Sequence, residues 1–458
     1  MRILNLNPDT DIGASAWFVE MDGHRLLLDA GVHPKHEGRA SLPLYRHIRD
    51  ADLDAIVISH CHHDHVGSLP VAVREHPRAR VLMTGLSYFI AERVLHNSVN
   101  VMERQAEETG RRTPPLFSHR EVDAIAPSFQ GVRYNREIEW GAPRKGRNPT
   151  PSPTLEFFDA GHALGSAGVL VRGRKETLFY SGDVCFHDQT LLRRARFDGV
   201  KAGVLILETT RGNHPKPKGF TREREVERLC RAIEGVFARK GCVLIPAFAL
   251  GRTQEILAQL ALWMRAGRLR RQPVFIGGLG RVFTEVYDLE APRTHRHHPG
   301  LQLDVALDLQ VLERGQAAEM RLAPGQLFVV TAGMMSEHTA AHDLAARMMP
   351  ARRHGIFFVG YADPDTPGGR LKASKPGQPF RFSDATGVLT RECEMDGFDL
   401  TAHAQREDLL GFVGKVAPHT VLLGHGDAPA RRWFEGQLRR RHPKLRIVQP
   451  EPGRDVRA

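Results

Sequence analysis

Ser59-His60-Cys61-His62-His63-Asp64-His65-Val66-Gly67 places His60, His62, Asp64 and His65 within six positions. Three imidazoles and a carboxylate are too many metal-binding groups for a packing role. The apolar run Ala55-Ile56-Val57-Ile58 just before them reads as a buried strand. The ligands therefore fall on the loop leaving that strand's C-terminal end. A loop is needed because six residues on one strand or helix could not all turn toward a common point. His60 and His62 can point one way while Asp64 and His65 reach a second point beside it. That geometry suits a pair of metals about 3.5–4 Å apart. The plain alternative is a solvated His-rich turn. It is disfavoured because further ligand types recur downstream. Cys61 alternates away from the ligands and reads as packing, and His63 as an outward-facing position.

A chain of 458 residues is long enough for two or three domains. Its 41% hydrophobic content fits a soluble globular protein, and no apolar run approaches the ~20 residues of a membrane span. Met1-Arg2-Ile3-Leu4-Asn5-Leu6 reads as a first strand rather than a signal peptide. Five scattered cysteines make no disulfide framework. Together these features predict a cytoplasmic protein with no membrane contact. The formal charge of +11 favours polyanions, because each neutralised phosphate releases condensed counterions.

The remaining ligand types follow in order. Leu26-Leu27-Leu28-Asp29-Ala30-Gly31 is a strand ending in Asp29, and Phe158-Asp159-Ala160-Gly161-His162-Ala163-Leu164-Gly165-Ser166 supplies His162. Tyr180-Ser181-Gly182-Asp183 and Leu423-Gly424-His425-Gly426-Asp427 supply Asp183 and His425. With the opening loop these resemble the HxHxDH signature and companion motifs of the metallo-β-lactamase superfamily. Pro246-Ala247-Phe248-Ala249-Leu250-Gly251-Arg252-Thr253-Gln254-Glu255 is similar to the PAFAxGRxQE element of the β-CASP nucleases. Glu208 in Ile206-Leu207-Glu208-Thr209-Thr210 and His403 in Thr401-Ala402-His403-Ala404 match that family's acidic and histidine motifs, and His425 its third motif.

The resemblance implies an α/β fold, a metallo-β-lactamase αββα sandwich with an inserted β-CASP α/β domain. The expected boundaries are 1–205 and 379–458 for the two parts of the lactamase domain and 206–378 for the insertion. Alternation supports the insertion. Val204–Leu207, Val243–Ile245, Val274–Ile276 and Leu327–Val330 read as strands, and Glu223–Ala238 and Thr253–Ala266 as helices. Such alternation implies parallel βαβ units. Ser87–Glu108 reads as a helix with a core stripe at Ile90, Val94, Leu95 and Val101, Gly141–Pro153 as a surface loop, and Leu445–Val448 as a final strand. Ile276-Gly277-Gly278-Leu279-Gly280 lacks the Lys-Ser/Thr of a P-loop and reads as a turn.

Imidazole and carboxylate ligands without thiolate suit two Zn²⁺ per chain, with Mn²⁺ or Fe²⁺ as alternatives. Carried over from the family, the first metal takes His60, His62 and His162, and the second takes Asp64, His65 and His425. Asp183 bridges both, and Asp29 orients a ligand histidine from behind. His403, beside Glu208, is the general acid or phosphate clamp. The implied function is a zinc-dependent ribonuclease, endo- or exonucleolytic, that hydrolyses single-stranded RNA with a two-metal-activated hydroxide. Asp64, His403, Glu208 and Asp29 form its catalytic set, and a homodimer is left open. A histidine at 425 is typical of the family's RNA-processing members. The alternatives are a DNA nuclease of the same superfamily and a non-catalytic RNA-processing scaffold. Thr210-Arg211-Gly212, Ser336-Glu337-His338-Thr339 and Ala404-Gln405 depart from the family pattern without removing a ligand.

Overall fold

The computed structural model describes residues 1–109, 114–141, 152–313, 315–331, 333–383 and 386–458. Most of the expected Gly141–Pro153 loop lies outside them. The chain divides into two compact units: 1–187, 194–216 and 403–458 form the first, and 188–193 and 217–402 the second.

The first unit holds two seven-stranded sheets. One runs in the order Asp455–Arg457, Arg2–Asn5, Trp17–Met21, His24–Leu28, Ala55–Val57, Arg80–Thr84 and Phe129–Val132. It is antiparallel up to His24–Leu28 and parallel beyond. The other runs Arg446–Val448, Thr420–Gly424, Val204–Glu208, Thr177–Tyr180, Ala167–Arg172, Thr154–Asp159 and Ile138–Glu139.

Alternating side chains explain the layering, because successive residues of a strand face opposite sides. Leu26, Leu28, Ala55 and Val57 of one sheet share a core with Val169, Val171, Val204 and Ile206 of the other. Leu205 and Leu207, one step out of phase, pack with Leu409, Phe412 and Val413 of helix Arg406–Val416 and with Phe434 and Leu438 of helix Ala428–Arg441. Burial on both faces is why Val204-Leu205-Ile206-Leu207 is apolar without a break. Helix Gly85–Thr109 packs on strands Arg80–Thr84 and Phe129–Val132 of the other sheet. It buries Ile90, Val94 and Leu95 as expected, while Val101 is half-buried. The result is the expected αββα sandwich.

The second unit is built on a wholly parallel six-stranded sheet. Its order is Leu309–Leu312, Val274–Gly277, Leu327–Val330, Val243–Pro246, Gly355–Phe358 and Glu394–Gly397. Leu244, Phe328, Val330, Ile356 and Phe358 share a core with Leu344, Ala345 and Met348 of helix Ala340–Met348. This is the expected α/β domain inserted between the two parts of the sandwich.

The boundaries differ from 1–205, 206–378 and 379–458. Val204–Glu208 pairs with Thr177–Tyr180 and Thr420–Gly424, so Glu208 belongs to the first unit. Glu394–Gly397 pairs with Gly355–Phe358, which delays the return to His403. Residues 188–193 join the second unit because buried Glu255 accepts the N–H groups of Thr190, Leu191 and Leu192 at 2.6, 2.8 and 2.9 Å. Buried Arg252 adds hydrogen bonds to the Gln189 side chain and the Leu400 carbonyl. The expected final strand, found as Arg446–Val448, is followed by Asp455–Arg457, which pairs with Arg2–Asn5. The Gly277-Gly278 turn opens helix Gly278–Leu289. His342 is buried and stacks on Phe382 at 4.4 Å. The five cysteines are free and buried. Among the described residues no helix is long and apolar enough to cross a membrane.

Ile206 is fully enclosed between the two sheets. Ile206→Ala is expected to lower the stability of this unit by about 2–5 kcal/mol, read from its denaturant-unfolding midpoint.

Candidate metal centre

Every expected ligand lies in the first unit, just past the carboxyl end of a strand. His60 and His62 follow Ala55–Val57, and Asp64 and His65 sit on the short helix His63–Val66. His162 follows Thr154–Asp159, Asp183 follows Thr177–Tyr180, and His425 follows Thr420–Gly424. The ligand loop is fixed by its own backbone. The carbonyls of His63, Asp64 and His65 accept from Val32, Ser15 and Ala30 N–H at 3.1, 2.8 and 2.8 Å. Gly31 is required there, since a Cβ would stand 1.7 Å from the Asp64 carbonyl oxygen.

The side chains fall into two sets. His60 Nε2 and His162 Nε2 each lie 3.1 Å from His62 Nδ1. Ligands held tetrahedrally at about 2.0–2.1 Å stand roughly 3.3 Å apart, so three converging nitrogens at this spacing fit one zinc ion. In the second set His425 Nε2 lies 3.1 Å from Asp64 Oδ2 and 3.3 Å from His65 Nε2. Asp183 serves both. Its Oδ2 stands 3.6 Å from His60 Nε2, 3.7 Å from His162 Nε2 and 3.6 Å from His65 Nε2. Its buried Oδ1 stands 3.1 Å from His425 Nδ1, a ligand nitrogen of the second set. The donor set, nitrogen and carboxylate oxygen without sulfur, also fits zinc. Cys61 turns away, its buried thiol facing the Ser87 carbonyl. His63 is exposed, with Nε2 2.8 Å from the Ser98 hydroxyl.

Electrostatics prepare the ligands. Burial, reinforced by the neighbouring histidines, holds the His60 imidazole well below its ordinary pKa and keeps a lone pair for a metal. Burial would also lower His65, but Asp183, Asp64 and Asp29 outweigh it and push it up to about 10. Burial would raise Asp64, yet His65 and His425 hold it far below the usual carboxylate range.

Asp29 stands behind the ligands. It is fully buried, and its left-handed backbone has φ of 62°. Its Oδ1 accepts from Ser59 N–H at 2.6 Å, and its Oδ2 from Ser59 Oγ at 2.7 Å and Tyr180 OH at 2.6 Å. His65 Nδ1 is 2.7 Å from the same Oδ2. A carboxylate only accepts, so Nδ1 carries the hydrogen and Nε2 turns its lone pair to the centre. The Ser59 hydroxyl donates to Asp29 and lies 3.1 Å from His60 Nδ1, where it accepts and orients that ring too. The Thr210 hydroxyl lies 3.0 Å from His425 Nδ1. Sequence reasoning found Asp29 but missed Ser59, Tyr180 and Thr210, which carry no spacing signal of their own.

His403 and Glu208 also meet. His403 Nδ1 is 3.2 Å from Glu208 Oε2, and its ring lies 4.6 Å from that of His162. Glu208 is buried, and its Oε1 accepts from Val184 N–H at 2.8 Å. Burial would raise its carboxyl, but His403 outweighs this and holds it below the usual range.

Replacing Asp29 tests the support. Asn keeps the shape and tolerates the left-handed backbone, but its NH₂ must face a donor in either orientation. Asp29→Asn is expected to weaken metal binding about 10–100-fold in chelator competition, with the protein still folded.

Residues 9–132 match the metallo-beta-lactamase superfamily, and residues 388–448 match the Zn-dependent metallo-hydrolase RNA specificity domain. The chain is 25% identical to the endoribonuclease ysh-1 of Neurospora crassa, over 93% of this chain and 52% of that protein. It is 28% identical to the ribonuclease TTHA0252 of Thermus thermophilus, over 93% of each. It thus spans about half the length of the first curated relatives it matches. A crystal structure of a protein of unknown function from Enterococcus faecalis shares the fold, with TM-score 0.58 and 14% identity over 99% of both chains. The ligand loop lies inside the first family match, and His403 and His425 lie inside the second. Residues 9–132 therefore carry a metallo-β-lactamase superfamily domain, and residues 388–448 the RNA specificity domain of Zn-dependent metallo-hydrolases.

Proposed function

We propose that the chain is a zinc-dependent ribonuclease that hydrolyses phosphodiester bonds of single-stranded RNA. The observation that carries this reading is the convergence of two ligand sets on Asp183, with the His403–Glu208 pair against His162. A protein that only binds RNA needs cations facing phosphate, whereas this centre gathers carboxylates and imidazoles around one point. Without metal, Asp64, Asp183 and Glu208 repel a phosphate at the centre, so cleavage there depends on loading. Two zinc ions held there would polarise a phosphate oxygen and bring the pKa of a water near neutrality. The match over 388–448 and the ribonuclease relatives favour RNA over DNA.

The chain's own residues supply the proton. When the P–O bond breaks, the departing ribose oxygen must be protonated. Glu208, ionised at neutral pH, accepts the Nδ1 hydrogen of His403 and so fixes the ring. The opposite edge, Nε2, donates to the leaving oxygen. Val184 N–H holds Glu208 in place, which keeps the pair aligned while the substrate changes. Asp29 acts through His65 and Ser59, holding ligand geometry without touching substrate.

His403→Ala is expected to keep both metals and the fold while losing about 10²–10⁴ in single-turnover cleavage rate. A rate within about threefold of the parent would remove His403 from the mechanism. End-labelled single-stranded RNA is expected to be cut by the purified chain, spared in chelator and cut again after zinc is restored. Preferential cutting of single-stranded DNA of the same sequence would move the assignment to a DNA nuclease.

A further inference from the structure

The second unit carries exposed aromatic side chains that the metal chemistry does not use. In open parallel sheets, ligands bind outside the carboxyl ends of strands where successive connections leave toward opposite sides. Val243–Pro246 lies between Leu327–Val330 and Gly355–Phe358. The chain leaves Val243–Pro246 toward Val274–Gly277 on one side, and leaves Leu327–Val330 toward Gly355–Phe358 on the other. Crevices of this kind therefore flank the carboxyl end of Val243–Pro246.

Phe248 and Tyr361 stand there. Phe248 is 41% exposed and Tyr361 50%. The ladder pairs Val243 with Gly355 and Leu244 with Ile356, so the two aromatics leave neighbouring strands at almost the same level. The next strand ends beside them: a Cβ at Gly333 would lie 3.8 Å from the Phe248 ring. Lys372 Nζ donates to the Gly360 carbonyl at 3.4 Å, which sets a cation beside Tyr361.

We propose that this edge is a stacking platform for single-stranded RNA, in which Phe248 and Tyr361 each take a base and Lys372 takes an adjoining phosphate. The proposal rests on the ribonuclease reading and adds a binding subsite to it. Every base has a π-face, so aromatic rings beside a cation grip a strand without reading its sequence. A protein partner would need a broader apolar surface. The other large exposed hydrophobics among the described residues, Tyr88, Leu289, Val305, Val311 and Val388, do not lie at these strand ends.

The test measures binding of a short single-stranded RNA to the whole chain in chelator, so that the strand is not cut. A matched oligomer with abasic riboses is the control. Phe248→Ala and Tyr361→Ala are each expected to weaken binding of intact RNA about 5- to 100-fold. Neither should change binding of the abasic strand, and Phe248→Trp should restore the intact strand. Thermal melting of each variant should match the parent. Affinities of both variants within twofold of the parent would overturn the platform, and so would equal losses for the abasic strand. Failure of the parent chain to bind or cut any RNA would instead overturn the ribonuclease reading itself.

Discussion

The first unit is organised around a buried carboxylate, Asp183, that faces imidazoles from several strands. Asp183 places one oxygen near His60, His65 and His162 and the other 3.1 Å from His425 Nδ1. A carboxylate so enclosed is unfavourable unless a cation joins it. The surrounding histidines do not all serve as that cation, because burial and mutual repulsion keep His60 neutral. Dication binding resolves the conflict, and it explains why the imidazole nitrogens approach one another at hydrogen-bond distance. Binding therefore also stabilises the fold, since the same ligands cannot converge in the unfolded chain.

Convergence requires a rigid frame, and the frame is mostly backbone. Three consecutive carbonyls of the ligand helix are held by N–H groups from two other segments, and Gly31 allows the approach. Asp29 and His425 both adopt left-handed backbone, with φ of 62° and 45°. Such conformations are unfavourable by roughly 1–3 kcal/mol each for non-glycine residues. They persist because the sandwich fixes the strand before each of them on both edges. A well-packed core thus supports strain where the chemistry needs an unusual turn.

The PAFALGRTQE segment has a different role from the one its place among nuclease motifs suggests. Glu255 spends both carboxylate oxygens on backbone amides of 190–192, Gln254 caps Gly251, and Arg252 is buried on Gln189 and Leu400. These residues fasten the ends of the second unit to its body. Phe248 is the member of the segment that stays substantially exposed.

The sequence alone marked the candidate metal-binding side chains. His60, His62, Asp64 and His65 lie within one short stretch after an apolar strand, so their spacing limits where they can point. The strand-helix alternation after residue 204 likewise marked the parallel sheet, because period and turn residues are local properties. The tertiary structure decided which segments share a ladder. Pairing of Val204–Glu208 with Thr420–Gly424 and of Glu394–Gly397 with Gly355–Phe358 moved both domain boundaries. It also decided the support behind the ligands. Asp29 meets Ser59 across 30 residues and Tyr180 across 151, and His65 meets His425 across 360. A serine, a tyrosine or a threonine is an ordinary residue in sequence. It becomes part of a metal centre only when chain closure over such distances brings its hydroxyl to one particular ring or carboxylate.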